Sequence, residues 1–258
     1  MPKLGAVKLK LYRPLCGKVL EVTIRREADG KWYACFVCDL GDALAKVAVR
    51  PARMAGIDVG LSTFATVTDG VGVELVPNPR YFRHGEERLA GRQGRLATKR
   101  RGSRSRRRAR GLVAKAHRHI RNQRLDHARK LAVRLYERYD FIAHEDLAIS
   151  RMVHGSLAKS IHDAAWGVFL RALACKAEEA GKWCVPVDPR RTSQICSACG
   201  ALVPKELSER VHRCACGVEL DRDVNAALNV LALGRSAAAV GAKVSPSFGL
   251  AHYPRVKS

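Results

Sequence analysis

Apolar and polar residues alternate in two short runs near the start of the chain. Residues 19–24 and 32–38 follow this period of two, which is typical of β-strands. The polar segment between them contains Asp29-Gly30, a dipeptide that favours a tight hairpin turn. The pattern therefore predicts a short amino-terminal β segment built on one hairpin.

Three further strands are predicted downstream. Residues 55–60 form an apolar run interrupted by Asp58, and residues 63–68 and 73–76 follow it with the turn Asp69-Gly70 between them. This close spacing predicts three consecutive strands that are antiparallel to one another.

The apolar positions then change to a helical period. Leu112, Ala116, Ile120, Leu131 and Leu135 recur at the spacing of one helix face. Ahead of this pattern, glycines and serines are expected to break the segment from residue 88 to residue 105. The pattern predicts one long helix with a narrow apolar stripe and a broad cationic face.

Alternation returns after this helix. Residues 141–147 predict a strand that ends in carboxylates, and residues 182–187 predict another. Between them we expect an amphipathic helix with Asp163 near its start and Gly181 at its end. Its apolar face comprises Trp166, Phe169, Leu170, Leu173 and Ala177. The order of strands and helices indicates an α/β fold with a mixed sheet.

The charge of the chain points to a polyanionic partner. Its 258 residues include 47 Lys and Arg against 24 Asp and Glu, a formal net charge of +23. Residues 88–130 hold 17 basic residues and a single acid, Asp126. A solvated helix is the ordinary reading of a charged segment, but cations with so few acids to pair favour a surface that faces phosphates.

Twelve basic residues are the candidates for nucleic-acid binding. They are Lys99, Arg100, Arg101, Arg104, Arg106, Arg107, Arg108, Arg110, Lys115, Arg118, Arg121 and Arg124. Charge alone does not separate a nuclease from a protein that only binds nucleic acid.

The sequence gives no sign of a membrane or secreted protein. It has no run of 18 apolar residues, and its first residues lack the apolar core of a secretory signal. We therefore expect no membrane partner and a cytoplasmic location, in association with the nucleoid of a prokaryote. The sequence does not indicate an oligomeric state.

Four of the nine cysteines form a metal-binding pattern. Cys196 and Cys199 lie in a CxxCG knuckle, and Cys214 and Cys216 in a CxC turn about one hairpin later. Four thiolates on two turns fit a tetrahedral, structural zinc ion, although His212 is an alternative ligand to one of them. Four cysteines without a metal are the competing interpretation.

The remaining cysteines are expected to be ordinary buried residues. Cys35 and Cys38 also have CxxC spacing, but on a strand such positions point to opposite faces and cannot easily share a metal. Cys16, Cys175 and Cys184 receive the same interpretation.

Three acidic positions are candidates for metal-dependent chemistry. Asp58 interrupts an apolar strand, Glu145 ends another, and Asp221 or Asp223 opens the last helix. Each has a structural reading: a buried ion pair, a strand-end acid and a helix cap. If they converge at one sheet edge, they can bind hard divalent cations that hydrolyse phosphodiesters. The spacing favours a metal-dependent phosphodiesterase without establishing that convergence.

Four ordered motifs carry a family resemblance. They are Gly56-Ile57-Asp58-Val59-Gly60, His144-Glu145-Asp146-Leu147, Asp188-Pro189-Arg190-Arg191-Thr192-Ser193-Gln194 leading into Cys196-Ser197-Ala198-Cys199-Gly200, and Asp221-Arg222-Asp223-Val224-Asn225-Ala226-Ala227-Leu228-Asn229. Across residues 14–233, and with the basic segment 88–130, the chain resembles the TnpB (OrfB) proteins of insertion sequences, RNA-guided DNA endonucleases related to the type V CRISPR effectors.

This resemblance implies an RNase H-like, RuvC-type α/β fold with an inserted zinc ribbon. Carried over by motif, the catalytic acids are Asp58, Glu145 rather than Asp146, and Asp223 rather than Asp221. In the family these acids hold Mg²⁺, or Mn²⁺, for cleavage of DNA. The implied partners are a guide RNA from the transposon end and a double-stranded DNA target, with specificity in base pairing.

The resemblance also divides the chain into regions. They are a partial wedge-like β segment (1–50), a nuclease domain (51–190) with a basic helical region (86–139), a zinc ribbon (191–220), a final nuclease helix (221–233) and a flexible tail (234–258).

Only about fifty residues precede the strand of Asp58, so the family's amino-terminal recognition lobe is expected to be missing. This leaves two alternatives to the guided endonuclease. One is a truncated protein that binds RNA or DNA without cleaving it. The other is a transposase that acts without guide RNA, although no Tyr or Ser stands in a recombinase-like setting.

Overall fold

The computed structural model describes residues 5, 7–11, 14–41, 51–206 and 208–239. Near the amino terminus, β1 (Lys18–Arg26) and β2 (Trp32–Asp39) form the predicted antiparallel hairpin. Gly30 adopts a φ of +90° in the turn, a conformation that favours glycine. Both strands are largely exposed, so the hairpin contributes little to the core.

A five-stranded mixed sheet forms the centre of the molecule, as predicted. Its strands are β3 (Met54–Val59), β4 (Thr63–Thr68), β5 (Val73–Pro77), β6 (Phe141–Glu145) and β7 (Trp183–Val187). They lie in the order β5-β4-β3-β6-β7. The first three are antiparallel to one another, while β6 pairs in parallel with both β3 and β7.

Two helices connect β5 to β6. They are α1 (Tyr81–Ala97) and α2 (Arg104–Arg138), and the Ser103 side chain caps α2 by accepting from the backbone N–H of Arg106. The expectation that glycines break the segment before α2 is wrong for α1. A Cβ on Gly85 would lie 2.9 Å from Ile120 Cδ1, so the glycine lets the two helices approach closely.

Three helices follow β6: α3 (Ile149–Met152), α4 (Ala158–Ala164) and α5 (Trp166–Ala180). Asp163 was expected near the start of the amphipathic helix, but it lies in α4. Ala165, at a φ of +57°, separates α4 from α5. The Asp163 carboxylate instead accepts from the backbone N–H groups of Phe82 and Arg83 and so caps α1.

Helices cover both faces of the sheet. The carboxyl-terminal half of α2 and α5 pack on one face, in a core that includes Ile57, Leu135, Ile142, Phe169 and Leu173. The last helix, α6 (Arg222–Ala239), packs on the other face, in a cluster that includes Phe141, Ala143, Val185, Val187 and Val230.

Close contact between α6 and the sheet depends on glycine. A Cβ on Gly56 would lie 2.3 Å from the backbone oxygen of Ala227, and a Cβ on Gly234 would lie 2.4 Å from Ala143 Cβ. The final helix was predicted to end at residue 233, but it continues through Ala239 because Gly234 packs against β6. The rest of the predicted tail, residues 240–258, lies outside the described residues.

A small ribbon is inserted between β7 and α6. Its hairpin consists of β8 (Val211–Arg213) and β9 (Glu219–Asp221), which pair antiparallel. None of the described helices is long and apolar enough to cross a membrane.

Candidate active site

The fold brings two of the candidate acids to one place. Asp58 lies near the end of β3 and Glu145 at the end of β6, two neighbouring parallel strands in which Ile57 pairs with His144. Side chains alternate between the faces of a strand, and Asp58 shares its face with Gly56, which touches α6. Glu145 shares its face with Ala143, which also packs against α6. Both acids therefore lie on the α6 face at one edge of the sheet.

The third acid comes from the start of α6. The Asp221 carboxylate accepts from the backbone N–H groups of Asp223 (2.8 Å) and Val224 (3.2 Å), so Asp221 is the helix cap. Asp223 is in contact with the strand edge instead: a Cβ on Gly60 would lie 3.6 Å from its Oδ2. The two acids of this motif thus have separate positions, one at the helix cap and one beside the end of β3.

The three carboxylates form one electrostatic unit. Burial, and then the charges of Glu145 and Asp223, raise the pKa of Asp58 well above its usual range. Burial also raises the pKa of Glu145, against a hydrogen bond from Thr192 that lowers it, and the charge of Asp223 adds to the rise. Buried oxygens that repel one another in this way are the donor set that suits a hard divalent cation.

Two arginines flank Asp223. The Arg222 guanidinium lies 3.3 Å from its Oδ1, and Arg210 Nη1 lies 3.9 Å from its Oδ2. Arg222 also opposes the rise in the pKa of Asp58. These arginines orient Asp223 and offset part of the negative charge at the edge.

The four candidate metal-binding cysteines come together in the ribbon. Their sulfur atoms all lie within 4.8 Å of one another, and in the described part of the chain no other group of three or more Cys, His, Asp or Glu ligand atoms is so compact. The Sγ of Cys196 lies 3.7 Å from that of Cys216, and the Sγ of Cys199 lies 3.5 Å from that of Cys214. A tetrahedral ion with metal–sulfur bonds of about 2.3 Å requires sulfur spacings of about 3.8 Å, so the donor set fits zinc.

The thiols also influence one another's protonation. Backbone N–H groups, that of Cys199 first, lower the pKa of Cys196 to about 5. The backbone N–H of Ala201 lowers the pKa of Cys199, but the three neighbouring cysteines raise it to a net value of about 12. A bound cation would favour the thiolate form of all four cysteines and offset the repulsion between them.

His212 does not belong to the compact sulfur cluster. It lies on β8 of the ribbon itself, where its imidazole is fully buried and its Nδ1 contacts the Lys205 ammonium. A hydrogen bond from His212 contributes to lowering the pKa of Cys196. Four cysteines complete a tetrahedral set, so the position of His212 fits a residue that supports the ligands.

Sequence reasoning missed the polar residues that connect the ribbon to the acids. The Thr192 hydroxyl donates to Glu145 Oε1 at 2.5 Å. Asn225 and Asn229, one turn apart on α6, donate their side-chain amides to backbone oxygens of Thr192 and Ile195. All three residues belong to the motifs of the family resemblance, which was the available signal.

The structure divides the twelve candidate basic residues into two groups. Arg106, Arg118 and Arg124 are half-buried and make internal contacts. Arg106 donates to backbone oxygens at the end of α1, Arg118 pairs with Asp29 in the β1–β2 turn, and Arg124 pairs with Asp163. These contacts stabilise the helical region and leave less of these three guanidinium groups available to phosphates.

The other nine are exposed. One, Arg121, pairs with Glu27, and within the described chain the remaining eight have no acid at ion-pair distance: Lys99, Arg100, Arg101, Arg104, Arg107, Arg108, Arg110 and Lys115.

The prediction that the remaining cysteines are buried is wrong for most of them. Cys184 is buried, but Cys16, Cys35 and Cys175 are exposed and Cys38 is half-buried. The reason for Cys35 and Cys38 is that no other described layer covers the β1–β2 hairpin as the helices cover the sheet.

Two family models match the chain. A model of the IS605 OrfB family, described as "Probable transposase", matches residues 36–155. A model of the Cas12f1-like TNB domain matches residues 166–230, which include the cysteine cluster and Asp223. The two matches are separated by ten residues; the first includes Asp58 and Glu145, and the second includes Asp223.

Individual proteins show the same relationship. A protein of Streptomyces pristinaespiralis named "Putative RNA-guided DNA endonuclease" is 35% identical over 228 residues, which cover 87% of this chain and 55% of the relative. The Escherichia coli K12 protein named "Putative RNA-guided DNA endonuclease InsQ" is 30% identical over 98% of this chain and 66% of its own length. The chain thus spans between about half and two thirds of these relatives.

A solved structure supports the fold. A cryo-EM structure of a Cas12f1–sgRNA–target DNA complex aligns with 81% of this chain and 55% of the Cas12f1 chain, with a TM-score of 0.52 and 18% identity. This likeness shows a shared fold. On the family matches and the ordered motifs together, the chain belongs to the OrfB (TnpB) family of insertion-sequence proteins.

Proposed function

We propose that this chain is a transposon-associated, RNA-guided DNA endonuclease that hydrolyses phosphodiester bonds with a divalent metal. One observation carries the proposal: Asp58 and Glu145 lie on the α6 face of two adjacent parallel strands, beside Asp223 at the start of α6. The names of the relatives support the substrate and the guide. The chemistry is supported by the acid edge, the place at the carboxyl ends of β3 and β6 where Asp58, Glu145 and Asp223 lie close to one another.

Asp58, Glu145 and Asp223 are the residues that would hold Mg²⁺ or Mn²⁺. Bound there, the metal supplies activation of water and stabilisation of the leaving oxygen. The chain contributes buried carboxylates fixed on three elements. The cysteine cluster, in this proposal, holds a structural zinc ion, because four sulfur ligands leave no open position for a substrate.

The basic helical hairpin supports nucleic-acid binding beside the acids. The 35 residues of α2 span about 52 Å, whereas the five residues of β6 span about 17 Å. Only two residues separate α2 from β6, so α2 runs back along the sheet and its amino-terminal half extends past the edge that carries the acids. The eight exposed, unpaired basic residues lie on this extension or at its tip.

This arrangement suits a phosphate backbone rather than base recognition. Lys and Arg side chains on a protruding hairpin contact phosphates without reading sequence. Guide RNA from the transposon end and double-stranded DNA are the proposed partners, with sequence specificity supplied by base pairing.

The test uses the purified chain expressed together with the DNA that flanks its gene. RNA that copurifies is sequenced, and cleavage of a matching double-stranded target is followed with Mg²⁺. Glu145→Gln is compared with Asp146→Asn, the adjacent exposed acid. We expect a defined RNA species to copurify with the chain. Glu145→Gln should reduce the cleavage rate at least about 10³-fold, whereas Asp146→Asn should leave it within about threefold of the wild type.

Each other result selects an alternative. Tight binding of RNA or DNA, with the same products from the wild type and from Glu145→Gln, indicates a protein that binds without cleaving. Metal-dependent cleavage without any defined RNA indicates action without a guide.

A further inference from the structure

Glu145 is held by a buried hydroxyl. Thr192, 4% exposed, donates its Oγ1 hydrogen to Glu145 Oε1 at 2.5 Å. The residue Glu145 is 9% exposed and lies at the end of β6. Since a carboxylate rotates freely about its last bond, a donor fixed on one oxygen sets the direction of the other.

Thr192 is fixed by a dense set of backbone contacts. Asn229 Nδ2 donates to the backbone oxygens of Thr192 (2.8 Å) and Ile195 (2.7 Å). The neighbouring Arg191 has a φ of +61°, a conformation that is costly for a residue with a Cβ. A backbone conformation of this kind persists only where surrounding contacts maintain it. Here those contacts also hold the Thr192 hydroxyl group in position.

The same contacts reach the cysteine cluster. The fully buried Asn225 donates its Nδ2 to the Ile195 oxygen at 2.8 Å, and its Oδ1 accepts from the backbone N–H of Ser197 at 3.0 Å. Ile195 and Ser197 flank Cys196, the buried cysteine of the first knuckle. The five residues 192–196 thus connect the cluster ligand Cys196 to Thr192 and, through its hydroxyl, to Glu145.

We propose that Thr192 is a positioning residue that orients the Glu145 carboxylate for divalent metal binding, and that Asn225 and Asn229 hold Thr192 in place from α6 through the backbone of the first knuckle. This inference rests on the proposed function, because it takes Glu145 as a ligand of the divalent metal. It assigns the ribbon a role at the acid edge that is separate from contact with nucleic acid.

The test measures Mn²⁺ binding directly, by electron paramagnetic resonance of the free ion, on the zinc-loaded full chain. Thr192→Val keeps the shape of the side chain and removes the donor, whereas Thr192→Ser keeps the donor. We expect Thr192→Val to weaken Mn²⁺ binding about 10- to 100-fold and Thr192→Ser to remain within about threefold of the wild type. The melting temperature of each variant is recorded in parallel.

Asn229→Ala is the second variant, in case Thr192→Val does not fold. It leaves the hydroxyl in place but removes donors to its backbone, and we expect Mn²⁺ binding to weaken about 3- to 10-fold. Wild-type affinity in both folded variants would overturn the positioning role. Asp58→Asn separates the two proposals: if it binds Mn²⁺ as the wild type does, the acid edge is not the metal site and the proposed function fails with the inference.

Discussion

The cysteine cluster and the acid edge are two candidate metal sites that are built in opposite ways. The four cysteines lie between residues 196 and 216, two in the first knuckle and two in the turn of the β8–β9 hairpin that follows it. The acids lie at positions 58, 145 and 223, on two strands and a helix. The first site is closed by local turns, whereas the second exists only when α6 packs on the sheet.

The two sites also differ in the type and spacing of their ligands. Thiolates on short turns reach a compact tetrahedron in which the four sulfurs are mutual neighbours. The three carboxylates come from separate elements, and within the described chain they do not form so compact a set. The difference fits the proposed function, in which the ribbon maintains structure and the acid edge carries the chemistry.

The largest expected effect separates two acids that lie two residues apart. Asp223→Ala removes a carboxylate of the edge, and we expect the cleavage rate to fall at least about 10³-fold, or about 4 kcal/mol. Asp221→Ala removes the helix cap and is expected to cost about 1 kcal/mol of stability while cleavage stays within about tenfold. Rate measurements and denaturant unfolding on both variants check this. Equal loss of cleavage in the two variants would show that Asp221 and Asp223 do not have different roles.

A second variant breaks the cysteine cluster. We expect Cys199→Ser to lose the zinc, because three sulfurs and a hydroxyl hold it far more weakly, and to reduce cleavage about 10- to 100-fold through the segment that carries Thr192. Elemental analysis and cleavage assays measure the two effects. The exposed Cys35 provides the matched control, since Cys35→Ser should change neither. A folded wild-type chain without zinc would contradict the assignment.

A third variant disturbs the acid edge without touching either set of ligands. Gly234→Ala places a Cβ at 2.4 Å from Ala143 Cβ, so α6 must shift away from β6. We expect a loss of about 1–3 kcal/mol of stability and weaker Mn²⁺ binding, with zinc content unchanged. Gly91→Ala on α1, where a Cβ meets no atom within 4 Å, is the control. If zinc is lost together with Mn²⁺, the two sites are not built independently.

The smallest expected effect comes from an acid at the opposite end of β6. Hydrogen bonds from Arg53, and a further one from Lys182, lower the pKa of Asp140 to about 2, whereas the pKa values of Asp58 and Glu145 are raised. A lowered pKa contributes stability that is present above pH 3.8 and is lost as the pH falls through about 2. Asp140→Asn should therefore flatten the acid limb of a pH–stability curve, with a smaller effect than Gly234→Ala because solvent screens the pair. An unchanged acid limb would show that Asp140 contributes nothing.

The local elements were predictable because their signals are local. Asp29-Gly30 fixed the hairpin, and alternation gave the strands of the sheet within about two residues of their observed ends. Helix α1 was missed because Gly91 and Gly94 look like helix breakers, yet both lie within it. The internal ion pair of Arg118 was also missed, because its partner, Asp29, lies 89 positions away in the chain.

The sequence by itself determined the order of the elements, the net positive charge of the basic segment and the spacing of the four cysteines. Each of these depends on residues that are close together in the chain. Only the tertiary structure decided that Asp58 and Glu145 share the α6 face, that Asp221 caps while Asp223 reaches the edge, and that Thr192 meets Glu145. The physical reason is that these contacts join segments up to 165 positions apart, and the packing of α6 across β3 and β6 brings them together.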